Sequence, residues 1–266
     1  MTKDLVQQQF GANARNYVSS PVHAKGHSLA RLVEAVAPKP NWAALDVATA
    51  AGHTALALAP HVKHVTASDI TPEMLAEAKV LAAKKGITNI SFAEADAENL
   101  PFDDATFDLV TCRIAPHHFP SPKAFVAEAA RVLKPGGTFG LVDNLSPDNA
   151  TNPGLSPEDQ VASAQAYNAF EKRRDPSHGR ALTHGEWIDL VEAAGLVIRR
   201  TEHLDKPMSF KRWCSTMSVA PDIEAELRSQ ISDEASPLAA FIRPVSEGSD
   251  IAFTLTELVL VAERPV

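Results

Sequence analysis

The sequence predicts an α/β fold: a mostly parallel sheet of seven strands, with helices on both faces and an antiparallel last strand. Three observations predict it. Short apolar runs alternate with helical patterns from about residue 42 to residue 145. The stretch 45–54 indicates a buried strand, a turn of small residues and the start of a helix. A strongly β-prone run, Thr254–Glu263, is expected to insert antiparallel beside the sixth strand.

The first five strands are separated by helices whose ends carry recognisable signals. The strands are expected at 43–48, 64–69, 91–95, 107–112 and 138–142. Thr71-Pro72 begins one helix, because threonine caps an N-terminus and proline fits the first turn, and Gly86 ends that helix. Ser121-Pro122 begins another, and the turn 134–137 leads into the fifth strand.

The second half of the chain is expected to cover this sheet. Two insertions with mostly helical patterns lie on either side of the sixth strand, which is predicted at 196–203. They would form a cap, which excludes water from a site and shapes it. The whole chain is predicted to be one domain. Its parts are a lid at 1–35, a core at 42–145 and the cap insertions at 146–185 and 207–245.

Composition and charge exclude several classes of protein. A net charge of −8 disfavours binding to a nucleic-acid backbone, so no nucleic-acid partner is expected. The two cysteines, Cys112 and Cys214, form no metal-type cluster and suit a reducing compartment. The N-terminus lacks the apolar stretch of a signal peptide, and no run of about 18 apolar residues could span a membrane. A cytoplasmic location is therefore predicted.

The turn after the first strand is the most informative stretch. Its small residues are Ala48, Ala50 and Gly52, and Asp69 ends the next strand. Small side chains let the backbone approach a ligand, and a carboxylate at that strand end can accept ribose hydroxyls. A dinucleotide turn would place its third glycine at His53, which disfavours a nicotinamide oxidoreductase. A positive φ at either alanine would cost about 1 kcal/mol.

Five motifs follow one another over about a hundred residues. They are Leu45–Gly52, Ser68–Leu75, Glu94–Phe102, Phe107–Val110 and Arg131–Gly137. Together they resemble the class I methyltransferases that use S-adenosylmethionine (SAM), and more narrowly the type 11 group related to the ubiquinone/menaquinone-biosynthesis C-methyltransferases. The resemblance implies a Rossmann-like fold, SAM as the cofactor, and transfer of its methyl group to a small-molecule acceptor by direct displacement. The segment 10–14 is similar to the lid that many such enzymes carry.

The resemblance also implies a partner for each end of the cofactor. Backbone N–H groups near Gly52 and His53 would face the SAM carboxylate, and Asp46 would accept hydrogen bonds from its ammonium group. Asp69 would accept the ribose hydroxyls, and Asp96 would accept the adenine amino group. The other cofactor contacts that it implies are Tyr17 on the lid, Ala48, Ile70, Ala97 and Arg113.

Histidines follow the fourth strand at the edge of the sheet where ligands bind. His118 and His117 stand there, and His178 lies in the first insertion. A histidine titrates near neutrality and could take the proton of a phenol, a thiol or a carbon acid, so these three are the candidate catalytic residues. The alternative for His118 is a structural one, in which it packs against Phe119 and donates to a loop carbonyl.

Two classes of function remain open. The first is a small-molecule methyltransferase, with an oxygen, nitrogen, sulfur or carbon acceptor. The second is a protein of the same fold that binds SAM or its demethylated product without transferring a methyl group. The basic run Glu171–Arg174 is expected to be a solvated helix end, and Arg180 is expected to lie over the pocket. The sequence is compatible with a homodimer and indicates no bound metal.

Overall fold

The computed structural model describes residues 3–19 and 26–266, and within them eight strands form one sheet. The strands are β1 Ala43–Val47, β2 His64–Asp69, β3 Ile90–Glu94, β4 Phe107–Arg113, β5 Leu133–Asn144, β6 Val197–Ser209, β7 Val245–Glu247 and β8 Asp250–Glu263. Their order is β3-β2-β1-β4-β5-β8-β6, with β7 paired to β8. Strands β1 to β5 are parallel, and β8 runs antiparallel to both β5 and β6. The predicted Rossmann-like α/β sheet with an antiparallel last strand is confirmed.

The sheet has one more strand than the seven that the sequence predicts. The short strand β7 forms a hairpin with β8, in which Glu247 pairs with Asp250. Gly248 lies between them at a φ of 60°, a conformation that suits a tight hairpin turn. The difference arises because a three-residue strand at the end of a helical region has too short a pattern to predict.

Helices cover both faces of the sheet, as expected. They are α1 Lys3–Ser19, α2 His27–Val36, α3 His53–Leu58, α4 Pro72–Lys84, α5 Pro122–Val132, α6 Pro157–Arg174, α7 His184–Ala193, α8 Phe210–Thr216, α9 Pro221–Ile231 and α10 Pro237–Ile242. Neighbouring residues of β1 point to opposite faces, so that Ala44 packs with α2 and α3, and Leu45 packs with α5 and α7. Thr71 is the N-cap residue of α4 and Pro72 its first residue, as predicted, but the Thr71 side chain makes no capping bond and instead donates to the Asp69 carboxylate.

The cap has its own hydrophobic core. Helices α6, α8, α9 and α10 pack around the ends of β6 and β8, which extend beyond the rest of the sheet. Phe170 of α6 stacks on Trp213 of α8, with ring centroids 4.6 Å apart and planes 11° apart. The helical insertion expected at 207–245 begins a few residues later than predicted. Strand β6 continues to Ser209, and α8 starts at Phe210. The long β6–β8 ladder carries the cap over the carboxyl ends of the parallel strands.

The N-terminal helix α1 lies across the same edge of the sheet. Gln7 Nε2 donates to the carbonyl of Ile70 at 2.6 Å. Lys3 Nζ lies 2.5 Å from an Asp96 oxygen and 2.7 Å from a Glu98 oxygen. Ala14 packs with Met74 and other residues in a small apolar cluster. Helix α1 thus lies beside the carboxyl ends of the strands, whereas α2, which the predicted lid at 1–35 also included, packs on one face of the sheet. No helix in the described part of the chain is long and apolar enough to cross a membrane.

Candidate active site

The turn between β1 and α3 has an unusual backbone. Ala48, Ala50 and Gly52 all have positive φ, at 51°, 46° and 84°. A Cβ at Gly52 would lie 3.0 Å from the Cβ of Ala78, so both the conformation and the close approach of α4 require glycine there. The two alanines adopt the left-handed conformation despite their methyl groups, and that costs about 1–2 kcal/mol at each position. The turn therefore has a positive φ at every second residue, although only one of these three residues is a glycine.

We expect Ala50→Gly to raise the free energy of unfolding by about 0.5–1 kcal/mol, because glycine removes the strain of the left-handed alanine. The gain is smaller than the strain because glycine also loses more backbone entropy on folding. Urea titration without cofactor measures it. Ala55→Gly, a buried helical position in α3, is the control and should lower the stability. An Ala50→Gly protein less stable than the parent would contradict the strain argument.

Asp46 ends β1 beneath this turn and is buried. One carboxylate oxygen accepts from Thr49 Oγ1 at 2.6 Å and from the Ala55 N–H at 3.1 Å. The other accepts from Thr111 Oγ1 at 2.8 Å. Burial raises the pKa of Asp46 to about 6, and these three hydrogen bonds and the charge of Arg113 oppose the rise. Asp46 is therefore a rigidly held acid whose charge changes in an accessible pH range.

Asp69 ends β2 next to the same turn. Its Oδ2 accepts from the Ala50 N–H at 2.8 Å, and its Oδ1 accepts from the Thr71 N–H at 2.9 Å. Burial raises the pKa of Asp69, while these backbone hydrogen bonds favour the charged form. The side chain is only 6% exposed, yet it lines a cavity at the carboxyl ends of the strands. The carboxylate is thus fixed against the backbone and presented to that cavity.

One continuous cleft extends from Asp46 past Asp69 to Asp96. Its floor is formed by the turn residues and its far end by Ile70, Ala97 and Asp96. Asp96 Oδ1 accepts from the Glu98 N–H at 3.0 Å. Val6 and Phe10 of α1 form part of the roof. The cleft brings the three predicted acids into one row, in the order expected for the three parts of SAM. The remaining lining residues that the sequence predicted are Ala48, His53 and Arg113.

The end of β4 separates this cleft from a second cavity. Arg113 Nε donates to Thr54 Oγ1 at 3.1 Å, and Ile114 follows with a φ of 54°. Ile114, His118 and Phe10 line both the cleft and the second cavity. The other walls of the second cavity come from the cap, including Arg174, Met208, Arg212, Trp213 and Leu255. A molecule in the cap cavity would therefore meet one in the cleft at His118 and Ile114.

A cluster of three histidines lies at this junction. The ring centroid of His117 is 4.3 Å from that of His118 and 5.5 Å from that of His178. His117 Nδ1 lies 2.5 Å from Asp143 Oδ1 at the end of β5, so its N–H donates to a buried carboxylate. The second nitrogen of that ring is left as a proton acceptor. This histidine–carboxylate pair has the arrangement of a general base and its orienting group.

The other two histidines have different partners. His118 Nδ1 lies 2.9 Å from the carbonyl of Ser177, and His178 Nε2 lies 2.9 Å from Asn168 Oδ1. Burial lowers the pKa of His118 and of His178 well below the usual range, and the neighbouring histidines lower both further. Both rings are therefore neutral near pH 7. His118 lines the cap cavity, whereas His178 is not among the residues that line it.

Comparison with known proteins identifies the family. A family model described as "Methyltransferase domain" matches residues 45–141. The uncharacterized methyltransferase YcgJ of Bacillus subtilis (strain 168) is 33% identical over 254 residues, which cover 94% of this chain and 96% of the relative. The chain belongs to the SAM-dependent methyltransferases. The crystal structure of YcgJ matches with a TM-score of 0.81 at 30% identity, over 90% of this chain and 99% of that one.

The chain is also similar to part of another methyltransferase, and it shares its fold with a structure of low sequence identity. The ubiquinone/menaquinone biosynthesis C-methyltransferase UbiE of Brucella anthropi is 42% identical over 105 residues, 38% of this chain and 40% of the relative. Phosphoethanolamine N-methyltransferase 2 of Haemonchus contortus, solved in complex with SAM, shares the fold with a TM-score of 0.63 at 14% identity. It covers 96% of this chain and 57% of that one. The cofactor of the present methyltransferase is SAM, and the row of acids along the cleft fits it.

The structure corrects two expectations about the methyltransferase cap. Glu171 and Arg174 are not a solvated helix end: both line the cap cavity, and Glu171 is 3% exposed. Lys172 and Arg173 are exposed as expected. Glu171 and Arg174 face inward because they pair with each other and Trp213 of α8 packs on Arg174, a contact that the local pattern does not contain. Arg180 pairs with Glu186 at 2.8 Å on an exposed surface and does not line the cavity. The side chain of Tyr17 lies outside the described residues.

Some site residues of the methyltransferase carry little signal in the sequence. Thr111 could have been found, since it is a polar residue in an otherwise apolar buried strand and must have a partner. Trp213 and Arg212 had no such signal, because they reach the cavity only through the path of β6 and α8. Lys3 forms its ion pair with an acid 93 residues away. These contacts depend on tertiary packing alone.

Proposed function

We propose that this methyltransferase moves the methyl group of SAM to a small molecule in the cap cavity by direct displacement, with His117 as the general base. The observation that carries the proposal is the pair of His117 and buried Asp143 beside the cap cavity, which adjoins the cofactor cleft. When bound, SAM supplies a methyl group activated by the sulfonium charge. The chain's own task is then to position the acceptor and to remove its proton.

The cleft residues have roles that follow from their geometry. Asp46 would hold the ammonium group of SAM, the N–H groups near Gly52 and His53 its carboxylate, and Asp69 its ribose hydroxyls. Asp96 would hold the adenine amino group. Lys3 of α1 forms an ion pair with the same carboxylate. The left-handed turn supports this assignment, because it brings Ala48, Ala50 and His53 to the wall of the cleft. The N–H groups of Ala50 and Gly52 already donate to Asp69 and to the Thr49 carbonyl, so the carboxylate would meet the N–H of His53.

His117 is preferred to His118 as the base for an electrostatic reason. The carboxylate of Asp143 stabilises the imidazolium that forms when His117 takes a proton. His118 donates its Nδ1–H to a neutral carbonyl, and its other ring nitrogen lies 4.0 Å from the buried Asp175 carboxylate. That contact is longer than the one between His117 and Asp143, and burial still lowers the pKa of His118 and makes it a weak base. Its position on both cavities suits it to contact the acceptor near the reacting atom. His178 does not line the cap cavity, and its ring contacts those of the other two histidines. Its proposed role is to position them.

Titration calorimetry with SAM and with its demethylated product tests the cofactor site directly. Micromolar binding of both is expected. A screen of small acceptors with methyl-labelled SAM then tests transfer itself. Binding without transfer to any acceptor would favour the alternative, a protein of this fold that binds SAM without methylating. Absence of binding would mean that the alanine turn has closed the cleft.

SAM affinity is expected to fall as the pH is lowered through about 6. The form that accepts the ammonium is the Asp46 carboxylate, whose pKa in the free protein burial raises to about 6. Below that pH a proton must leave before SAM binds, so the affinity should approach a tenfold loss per pH unit. Calorimetry from pH 4.5 to 7.5 measures it. Asp46→Asn should bind weakly with a flat profile; an unchanged slope in that variant would refute the assignment.

A further inference from the structure

The cap cavity is basic although the protein as a whole is acidic. Three cations, Arg174, Lys206 and Arg212, line it together with one acid, Glu171. The whole chain carries a net charge of −8. A positive cavity on an acidic protein is a local feature that attracts anions into that cavity.

Two of these cations are neutralised inside the protein. Arg174 pairs with Glu171 at 3.0 Å, and its guanidinium lies over the ring of Trp213. Lys206 pairs with buried Glu257 at 2.9 Å. Each of these two cations is paired with a carboxylate of the protein. Both side chains therefore line the cap cavity without contributing a net charge that could bind a ligand.

Arg212 differs from both. It is exposed, it lines the cavity from α8, and the described residues provide its guanidinium with no ion pair or hydrogen bond. Its neighbour Lys211 turns away and donates to Ser249 Oγ at 2.7 Å. A guanidinium binds carboxylates and phosphates through paired hydrogen bonds, which makes it a specific anchor for such groups.

We propose that the methyl acceptor is an anionic small molecule whose carboxylate or phosphate group binds Arg212 while its reacting atom lies at His117. The inference rests on the proposed function and adds the charge of the substrate to it. Apolar side chains of the same cavity, Phe10, Met208 and Leu255, would contact the body of the molecule. A cationic acceptor is disfavoured, because it would meet Arg212 at one end and the positive sulfonium at the other.

Titration calorimetry on the full chain saturated with the demethylated product tests the proposal without an acceptor in hand. The probes are benzoate, hexanoate and phenyl phosphate, each compared with a neutral counterpart: benzamide, hexanamide and benzyl alcohol. At least one anion is expected to bind about tenfold or more tightly than its neutral counterpart. Arg212→Gln should remove that preference and leave the weak binding of the neutral molecule unchanged. Lys211→Gln, the same charge change one residue away, should keep it.

The outcomes separate this inference from the proposed function. Saturation with the demethylated product is measured first, and failure at that step counts against the cofactor site and everything built on it. If that product binds but no anion binds more tightly than its neutral counterpart, the acceptor is not anionic. The same conclusion follows if Arg212→Gln keeps the full preference. A preference for phenyl phosphate over benzoate, or the reverse, distinguishes the two acidic groups.

Discussion

His117→Gln is expected to lower the rate of methyl transfer at least about 100-fold, the usual contribution of a positioned general base. Glutamine is of similar length and can still donate to Asp143, but it cannot take up a proton at neutral pH. Turnover of an acceptor found by the labelled screen measures the rate. The affinity for SAM, measured by calorimetry, should stay within about twofold, because His117 is not among the residues that line the cofactor cleft.

Two further variants make this prediction specific. Asp143→Asn keeps the shape of the buried side chain but removes the charge that stabilises the imidazolium, so the maximal rate should fall about tenfold or more with SAM affinity unchanged. His184→Gln is the matched control, since His184 pairs with His203 on an exposed surface. If His117→Gln turns over the acceptor as fast as the parent does, His117 is not the general base. His118 would then be the next residue to replace.

Asp69→Ala is expected to weaken SAM binding at least tenfold, equivalent to about 1.4 kcal/mol. The carboxylate would accept both ribose hydroxyls, and such charge-assisted hydrogen bonds are stronger than neutral ones. The change also leaves the N–H groups of Ala50 and Thr71 without their acceptor, which should lower the free energy of unfolding by about 1–3 kcal/mol. Calorimetry and urea titration measure the two effects separately.

The control for this change is Asp103→Ala, which removes the same charge from an exposed position that does not line the cleft. Its affinity for SAM should match that of the parent. Asp69→Asn adds a second comparison, because the amide oxygen can still accept one N–H while its amino group cannot accept a ribose hydroxyl. A folded Asp69→Ala protein that binds SAM as the parent does would remove Asp69 from the site.

The row of acids along the proposed cofactor cleft was accessible from the sequence because its parts are local. Asp46, Asp69 and Asp96 each lie at or just after the carboxyl end of a strand, and the ends of parallel strands meet at one edge of the sheet. The backbone of the turn was partly accessible: the spacing indicated which positions needed small residues. Only the structure shows that both alanines take a positive φ there, in a turn whose Thr49 and Ala50 N–H groups donate to Ser68 and Asp69 of the next strand.

Local sequence patterns predicted the five parallel strands and the antiparallel last strand, the family of the chain and the acids along the proposed cofactor cleft. Periodicity, turn residues and short motifs encode these features within about ten residues of one another. Tertiary structure alone decided the pair of His117 and Asp143, the burial of Glu171 beside Arg174, and the place of Arg212 on the cap cavity. The physical reason is that these contacts join elements far apart in the chain, where side-chain packing rather than local propensity selects the partners.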